Sequence, residues 1–443
     1  MGKVVIVAST PDLEKLCAAA ASISTTPGSA LEIMEREWEK ERAERLVSNV
    51  LKMGHATTVE HACFTLAFEN VSMLVEQFMI EFRLASFTVK SRRYVDFSEM
   101  GYYSPDLAGD VMEKYRGLVE RLFEEYRFFL GEGIPREDAR FLLPYCLHSN
   151  FFCTVNAREL RHIIQAAVWG RGSKYPEIRA LGQSLWEQGK KIAPGIFKVP
   201  FKKVAEEKFR TEVKVVGGEL EAEMLAFTEE PEKLVAQTFL IGRMQGIEAE
   251  VDIEELMRLV CESERPRELE QISFTWWIKN LSLAGLTHLA RHRMQSLVVP
   301  SFSEMREKGF IMPDSIRQKV LLKERYERVC REHLKAKAEL GLKDEVYLFL
   351  CGNLVDVVTT MNGRELLHFM RLRTCQRAQW EIRNLAEMML GQLREIAPRL
   401  FKYFGPSCYL WGYCPEGKLS CGEQEKMRER YGEVNNEADC TFN

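Results

Sequence analysis

Short segments of the chain alternate apolar and polar residues or are rich in strand-forming residues. They predict β-strands over 1–6, 62–68 and 272–278. Longer segments place apolar residues at helical spacing, and they predict helices over 11–21, 30–53, 72–84, 110–130, 158–192, 282–293 and 364–392. Strands and helices do not alternate regularly along the chain. We therefore expect an α+β fold within the broad α/β class, and not a doubly wound sheet.

Fragments of the sequence occur twice, in the same order. Arg83 and Ser91 recur 210 positions later as Arg293 and Ser301, with further matches between them. A second block, which begins at Asn156, recurs 206 positions later. A period of about 200 residues is much longer than that of a solenoid repeat, so it indicates two globular copies of one domain.

Length and composition agree with two globular copies. The chain has 443 residues, of which 46% are hydrophobic and 28% charged, so each half can bury a core of its own. We expect a first domain at 1–205 and a second at 206–443 that ends in a cysteine-rich tail. The basic segment at 198–211 is the expected linker.

Charge and cysteine usage narrow the functional class. The net charge of −4 provides no basic field for nucleic acid, and no aromatic-studded basic stripe accompanies the arginines. No segment approaches the ~20 apolar residues of a membrane span. The twelve cysteines are scattered, several of them in apolar contexts, and the first residues resemble a strand more than a signal peptide. We therefore expect reduced thiols and a cytoplasmic protein that binds neither nucleic acid nor membranes.

The strongest candidate chemistry lies where a predicted helix ends at Arg291-His292-Arg293. Planar guanidinium groups form paired hydrogen bonds with phosphates, and Ser296 and Ser301 in the following segment add hydroxyl groups. Taken alone, this pattern is more typical of a cationic helix end that complements the helix dipole. The alternative is a phosphate-binding loop.

A second candidate is a helical face that carries Asn362, Arg364, His368 and Arg373 at spacings near one helical turn. The alternative is an ordinary helix surface whose polar side chains already have hydrogen-bond partners. Other cofactor motifs are weak: a phosphate-binding P-loop and a G-x-S-x-G elbow are missing, and Gly170-Arg-Gly172 is a lone fragment.

The tail raises one further possibility, which is a zinc site. Cys408, Cys414 and Cys421, with Cys440 further on, provide enough thiols for zinc. Their spacing lacks the C-x-x-C pairs of common zinc modules. We therefore expect no metal.

The sequence resembles the flavin-dependent thymidylate synthase family over nearly its whole length, once in each half. The resemblance rests on motifs in the family's order. In the first half these are Gly54-His55, Glu60-His61, Arg83, Ser86, Ser91-Arg92-Arg93-Tyr94, Ala139-Arg140 and Asn156-Ala157-Arg158. In the second half they are Arg291-His292-Arg293, Ser296, Ser301, Asn362, Arg364, Arg373 and the run at 378–383.

The resemblance implies a fold and a reaction. The family fold is α/β, and we expect a helix-flanked mixed sheet in each half. Members bind FAD and convert dUMP to dTMP with methylenetetrahydrofolate and NADPH as co-substrates. Family enzymes are homotetramers whose sites lie between subunits, so this two-domain chain is expected to form a homodimer that mimics a four-domain assembly.

The resemblance also implies a role for each matching residue. The residues expected to bind FAD are His55, Arg291, His292, Arg293, Asn362, Arg364 and His368. Those expected to bind dUMP are Ser91, Arg93, Arg140, His288, Arg291 and Arg373. Arg291 and Arg373 are the expected catalytic residues.

Both signature copies depart from the family pattern. The first half has Glu81-Phe82 in place of the leading Arg-His, and Ala167 at the position of a late arginine. The second half has Ser303 and Val346 in place of two other arginines. The family's Asn-Glu pair is replaced in both halves, by Thr88-Val89 and by Val298-Val299.

The remaining losses are complementary, because each half keeps arginines that the other has lost. One hypothesis is therefore an active thymidylate synthase with a composite site shared by the two halves. The alternative is a paralogue that binds FAD or nucleotide and serves another flavin reaction or a regulatory role without making dTMP.

Overall fold

The computed structural model describes residues 2–201, 215–246 and 252–432. The strands and helices of the first half are β1 (Lys3–Ser9), α1 (Leu13–Ser22), α2 (Ala30–Glu35), α3 (Lys40–Lys52), β2 (Cys63–Ser72), α4 (Met73–Ile80), β3 (Ser86–Val89), α5 (Gly109–Gly131), α6 (Arg136–Ala139), β4 (His148–Asn156), α7 (Ala157–Trp169), α8 (Pro176–Ile192) and α9 (Pro194–Phe197).

The second half repeats this order. Its elements are β5 (Glu221–Phe227), α10 (Pro231–Met244), α11 (Ile253–Glu262), β6 (Ser273–Ser282), α12 (Leu283–Leu289), β7 (Ser296–Val298), α13 (Asp314–Arg317), α14 (Val320–Leu340), β8 (Leu354–Asn362), α15 (Gly363–Arg373), α16 (Trp380–Ile396), α17 (Pro398–Phe401), α18 (Ser407–Leu410) and α19 (Gln424–Gly432). The expected linker lies mostly outside the described residues.

Each half contains one four-stranded sheet with helices. The strand order is β1-β2-β4-β3 in the first sheet and β5-β6-β8-β7 in the second. The registers match as well, since Cys63 pairs with Asn156 and Ser273 pairs with Asn362. The α+β fold and the duplication are confirmed.

The expectation of a mixed sheet is wrong, because every pair of neighbouring strands in the described residues is antiparallel. Strands β2 and β3 run in the same direction, but β4 lies between them. The same holds for β6, β8 and β7 in the second sheet. Because β4 lies between β2 and β3, and β8 lies between β6 and β7, neither sheet contains a parallel pair.

Three predicted helices are each interrupted. The segment 30–53 forms α2 and α3 because Arg36 adopts an extended backbone with ψ of 151°. The segment 158–192 ends its first helix at Trp169, and Pro176 begins the next one. The segment 364–392 is divided after Arg373, where Gln379 caps α16 through the N–H of Ile382.

The segments that lead into the candidate sites begin with the same capping arrangement in both halves. Ser72 accepts the N–H of Val75 at the start of α4, and its hydroxyl donates to the buried Glu177 at 2.6 Å. Ser282 starts α12 in the same way and donates to Glu381. The site loops of both halves therefore leave the core from equivalent, fixed positions.

The chain divides into two compact units that do not coincide with the expected domains. Residues 312–352 group with the first half, and 215–311 group with 353–432. Within the first unit, the N–H of Tyr145 donates to the carbonyl of Phe349 at 2.7 Å. The N–H of Cys351 donates to the carbonyl of Leu143 at 2.8 Å.

These two hydrogen bonds join equivalent positions of the two copies, since 143 and 349, and 145 and 351, are each 206 positions apart. Reciprocal bonds of this kind are what a two-fold axis produces between identical chains. The segment pairing in the first unit therefore keeps the pattern of a symmetric oligomer contact.

The two longest helices, α5 and α14, belong to the first unit. Glu125 on α5 accepts two hydrogen bonds from the guanidinium of Arg325 on α14, at 2.7 and 3.0 Å. Among the described residues, no helix combines the length and apolar character needed to cross a membrane.

Candidate active site

The loop that follows β3 carries two of the residues expected to bind dUMP. The hydroxyl of Ser91 accepts the N–H of Arg93 at 3.2 Å, and its carbonyl accepts the N–H of Val95 at 3.0 Å. The side chain of Arg93 pairs with Glu137 at 2.6 Å. The loop is therefore a compact turn that holds a hydroxyl and a guanidinium group close together.

Arg140 lies buried beside this loop, and its Nε donates to the carbonyl of Glu137 at 3.0 Å. Burial, together with the positive charges of Arg92 and Arg93, lowers the pKa of Arg140 to about 10. A desolvated cation that faces like charges is stabilised by an anion. The structure thus brings together Ser91, Arg93 and Arg140 as a site suited to phosphate.

Three buried residues support this cluster: Arg92, which belongs to the motif quoted above, and Glu76 and Ser149, which the sequence did not single out. Glu76 accepts two hydrogen bonds from the guanidinium of Arg92, at 2.7 and 2.8 Å, and a third from the hydroxyl of Ser149 at 2.5 Å. Burial alone would lower the pKa of Arg92, but the charge of Glu76 raises it above its ordinary value. The pair therefore stays ionised inside the core.

The second unit places His292 at the centre of a different cluster. Its ring is buried, and Arg373 donates from Nε to Nε2 of His292 at 2.9 Å. Nδ1 of His292 lies 3.1 Å from a carboxylate oxygen of Glu365. Because Nε2 accepts a hydrogen bond, we assign the proton to Nδ1, which then donates to Glu365.

The charge state of His292 follows from its surroundings. Burial, and then the charge of Arg373 and the ring of His368, hold the pKa of His292 well below its ordinary value. The imidazole is therefore neutral near pH 7, and it links the guanidinium of Arg373 to the carboxylate of Glu365.

Other expected site residues surround this cluster. Arg291 and Arg293 are exposed and follow α12 instead of ending it, which corrects the helix boundary. The ring of His368, also an exposed residue, lies 5.8 Å from that of His292 between centroids. The buried His288 accepts a hydrogen bond through its carbonyl from Arg373 at 3.5 Å.

Asn362 and Arg364 have structural partners. Asn362 caps α15 by accepting the N–H of Glu365 at 2.9 Å, and Arg364 forms an ion pair with Glu270. The first half repeats both arrangements with Asn156 and with Arg158, which pairs with Glu60. The predicted FAD contacts of Asn362 and Arg364 remain predictions.

His55, the remaining residue expected to bind FAD, belongs to the first unit. It is exposed and precedes the short helical turn at Ala56–Val59. Its carbonyl accepts the hydroxyl of Thr58 at 3.0 Å. The contact of His55 with FAD also remains a prediction.

At the position of the His292 cluster, the first half contains an ion pair that lies beside two phenylalanine rings. Glu81 forms an ion pair with Arg171. The guanidinium of Arg171 lies 4.8 Å from the ring centroid of Phe78 and 5.5 Å from that of Phe82. The carboxylate of Glu81 is thus engaged with a cation from its own half.

The loop after β3, which carries Arg92 and Arg93 and which we call the arginine loop, has a counterpart without these arginines in the second half. Phe302 replaces Arg92 and is buried, and Ser303 replaces Arg93. The hydroxyl of Ser303 lies 3.0 Å from that of Ser301. Val346 stands where the first half has Arg140. This half therefore lacks the arginines of the first.

The tail cysteines do not form a recognisable metal site in the described part of the chain. Over residues 2–201, 215–246 and 252–432, no group of three or more His, Cys, Asp or Glu residues is arranged to hold a metal ion. Burial, and then the neighbouring thiols of Cys375 and Cys414, raise the pKa of Cys408. Cys440 lies outside the described residues.

Comparison with known proteins reveals the family of both halves. The family model described as thymidylate synthase complementing protein matches residues 5–195 and again 223–399. The flavin-dependent thymidylate synthase of Clostridium tetani is 32% identical over 246 residues, which is 48% of this chain and 97% of the relative. That of Geobacter sulfurreducens is 36% identical over 175 residues, which is 38% of this chain and 75% of the relative.

One solved structure is similar at a lower level. It is the UMP/dUMP methylase PolB from Streptomyces cacaoi bound with 5-Br dUMP, with a TM-score of 0.38 and 20% identity, and the match covers 45% of this chain and 94% of that one. The family matches, one in each half, confirm the resemblance and the tandem duplication. The chain belongs to the thymidylate synthase complementing protein family and carries the family's domain twice.

Proposed function

We propose that this protein is an FAD-dependent thymidylate synthase that methylates dUMP to dTMP, with methylenetetrahydrofolate as the carbon donor and NADPH as the reductant. The observation that carries the proposal is the complementary retention of two clusters. The first unit keeps Ser91, Arg93 and Arg140, and the second keeps His292 and Arg373. Family membership and the names of the relatives support the same reaction.

The phosphate of dUMP binds at Ser91, Arg93 and Arg140. Arg93 and Arg140 offer guanidinium donors, and the lowered pKa of Arg140 reflects a cation whose charge an anion would stabilise. A hydrogen bond to a charged group contributes about 1.5–3 kcal/mol, so this contact accounts for a large part of nucleotide affinity.

The residues around His292 fit a flavin dinucleotide. Arg291 and Arg293 expose two cationic side chains, which suit the pyrophosphate, and His368 presents a ring nearby. FAD supplies the hydride chemistry when it is bound. His55, Asn362 and Arg364 complete the proposed FAD contacts.

The second cluster also orients the pyrimidine. Arg373, held by its hydrogen bond to His292, presents a fixed positive charge, and Arg291, the neighbour of His292 in the sequence, carries a second one. The neutral His292 keeps Arg373 in position without adding charge. Arg291 and Arg373 therefore stabilise negative charge on the pyrimidine, and His288 lines the same region.

The cluster of Ser91, Arg93 and Arg140 and the His292 cluster serve the same nucleotide in one composite site. Support comes from the losses, since each half has lost the cluster that the other has kept. The active protein is a homodimer of this chain, which supplies four copies of the domain. Light scattering at micromolar concentration tests the dimer, and the mass of a single chain would contradict it.

The test of the function is an assay of dTMP formation from dUMP with FAD, NADPH and methylenetetrahydrofolate. We expect product from the wild type and almost none from Arg140→Val or His292→Phe. Each variant carries the residue, or the residue type, found at the equivalent position of the other half, so the fold tolerates it. Arg121→Ala, which removes an exposed ion pair with Glu332, is the control and keeps activity.

A second candidate function is supported by the apolar substitutions in the signature. Val298 and Val299 occupy positions where the family has Asn and Glu, which removes polar groups beside the pyrimidine. A paralogue that binds FAD or nucleotide without making dTMP would explain that change. Bound FAD and bound dUMP with no dTMP from the wild type would establish this alternative and contradict the synthase.

A further inference from the structure

Glu76 joins three elements of the first unit through its carboxylate. It lies on α4, and it accepts hydrogen bonds from Arg92 in the loop after β3 and from Ser149 on β4. All three side chains are buried. We refer to Glu76, Arg92 and Ser149 as the carboxylate clamp.

A buried ion pair is an expensive way to fill a core. Removal of two charges from water offsets much of their attraction, and apolar residues of similar volume often fill such a place with equal or greater stability. The second half shows this alternative in the same fold. Leu286, Phe302 and Val355 occupy the equivalent positions and are all buried.

The strand registers around the two sets of residues are the same. Ser72 pairs with His148 in the first sheet, and Ser282 pairs with Leu354 in the second, at equivalent positions. The charged residues of the clamp are therefore not needed to form the sheet or to start the helix. Their retention in the first half calls for another explanation.

The clamp holds the loop from the inside. Arg92 lies between Ser91 and Arg93 in the sequence, and its guanidinium is fixed at both ends by Glu76. Anchoring of Arg92 fixes the backbone on either side of it, so the hydroxyl of Ser91 and the guanidinium of Arg93 keep their relative positions. Preorganised donors bind an anion without first losing conformational freedom.

The geometry points to the carboxylate clamp as the positioning device of the phosphate subsite. Glu76 and Ser149 act through Arg92 and do not touch the nucleotide. This inference rests on the proposed function for its ligand, which is the phosphate of dUMP. The conformational part of the inference, that the clamp orders the loop, is testable without a ligand.

The test replaces the clamp with the residues of the second half, in the variant Glu76→Leu, Arg92→Phe, Ser149→Val. We expect a thermal unfolding midpoint close to that of the wild type, faster hydrogen exchange at the amide of Val95, and dUMP affinity lower by about tenfold or more, which corresponds to about 1.4 kcal/mol. Affinity for deoxyuridine, which has no phosphate, stays the same. The inference would be overturned if the variant had the hydrogen-exchange rate of the wild type at Val95 and bound dUMP with the affinity of the wild type.

Two single variants keep the test decisive if the triple variant does not fold. Ser149→Ala removes one hydrogen bond of the clamp and should change exchange and dUMP affinity in the same direction by a smaller factor. Tyr145→Phe is the matched control, because the Tyr145 hydroxyl is buried near the clamp and has no hydrogen-bond partner among the described residues. Equal effects of the two variants would contradict the clamp.

Failure of the proposed function and failure of the clamp give different results. If wild-type protein binds no dUMP, the synthase proposal fails. The exchange rate of Val95 in Ser149→Ala then decides on the clamp. An exchange rate above that of Tyr145→Phe supports the clamp, and an equal rate contradicts it.

Discussion

The two halves of the chain share a sheet order, a strand register and the serine caps of α4 and α12, yet their candidate sites contain opposite chemistry. Around the loop after β3, the first half has a buried ion pair and two further arginines. The second half has apolar residues and serines there. After α12, the second half has a histidine held between an arginine and a glutamate, where the first has Phe82.

This difference shows which features the fold requires and which the site requires. The serine caps of α4 and α12 and the strand registers are kept in both halves, so they belong to the fold. The arginine loop is kept in one half and the His292 cluster in the other, so neither is needed for folding. If the two clusters serve one composite site, as proposed, each copy is free after duplication to lose the part that the other supplies.

The largest expected effect comes from replacing arginines of the phosphate subsite in the first half with the residues found at the equivalent positions of the second half. Arg93→Ser and Arg140→Val each remove a guanidinium group from the phosphate subsite. A lost hydrogen bond to a charged group corresponds to about 1.5–3 kcal/mol, so dUMP affinity should fall by about 10- to 150-fold. Isothermal titration calorimetry measures the change.

The control for this experiment is Arg121→Ala, which should bind dUMP as the wild type does. Affinity for deoxyuridine should be unaffected in both loop variants. If Arg93→Ser or Arg140→Val bound dUMP normally, the phosphate would lie elsewhere and the contrast between the halves would lose its functional meaning.

A smaller effect is expected when the second half is converted toward the first by His292→Phe. A histidine whose pKa is depressed in the folded state contributes stability above its unfolded pKa of about 6.5, and this stability is lost as the pH falls below that value. The free energy of unfolding of the wild type should therefore fall by about 1.4 kcal/mol between about pH 7.5 and about pH 5.5, and His292→Phe should not show this fall.

Denaturant unfolding at the two pH values measures this difference. His148 and His333, whose pKa values are also lowered mainly by burial, contribute equally to both proteins and cancel. Phe82→Leu, at the equivalent position of the first half, is the control and should show the wild-type loss. An identical loss in His292→Phe would mean that His292 is not neutral in the folded protein.

The sequence located both clusters but not the residues that hold them. Arg93, Arg140, His292 and Arg373 match positions of the family signature, although the other half has lost each of them. Glu365 recurs as Glu159, but it lies 73 positions from His292 and meets it only through the sheet topology. Comparison of the halves at an offset of 210 would have revealed the exchange of Glu76 and Arg92 for Leu286 and Phe302.

Some elements were also hidden in the pattern. Strand β4 was not predicted. Its burial alternates, but the buried Ser149 and the 55% exposed Phe152 are exceptions to the usual pattern of apolar residues inside and polar residues outside. The break between α2 and α3 lies inside a run of charged residues that only Trp38 interrupts. Such a run gives no signal for the extended backbone of Arg36.

The smallest effect is expected at Phe82. Phe82→Ala should leave dUMP affinity nearly unchanged, because Glu81 and Arg171 already neutralise each other in that region. Calorimetry provides the measurement, and Arg291→Ala in the second half is the comparison that should lose affinity. A loss of about tenfold or more in Phe82→Ala would show that the first half's copy also contacts nucleotide.

The number of dUMP molecules bound per chain tests the account most directly. If the retained clusters of the two halves serve one nucleotide, calorimetric titration of the FAD-loaded protein should give about one dUMP per chain, and Arg140→Val and His292→Phe should each weaken that single event. Two dUMP molecules per chain, with each variant removing only one of them, would show that the halves work as separate sites and would contradict the composite site.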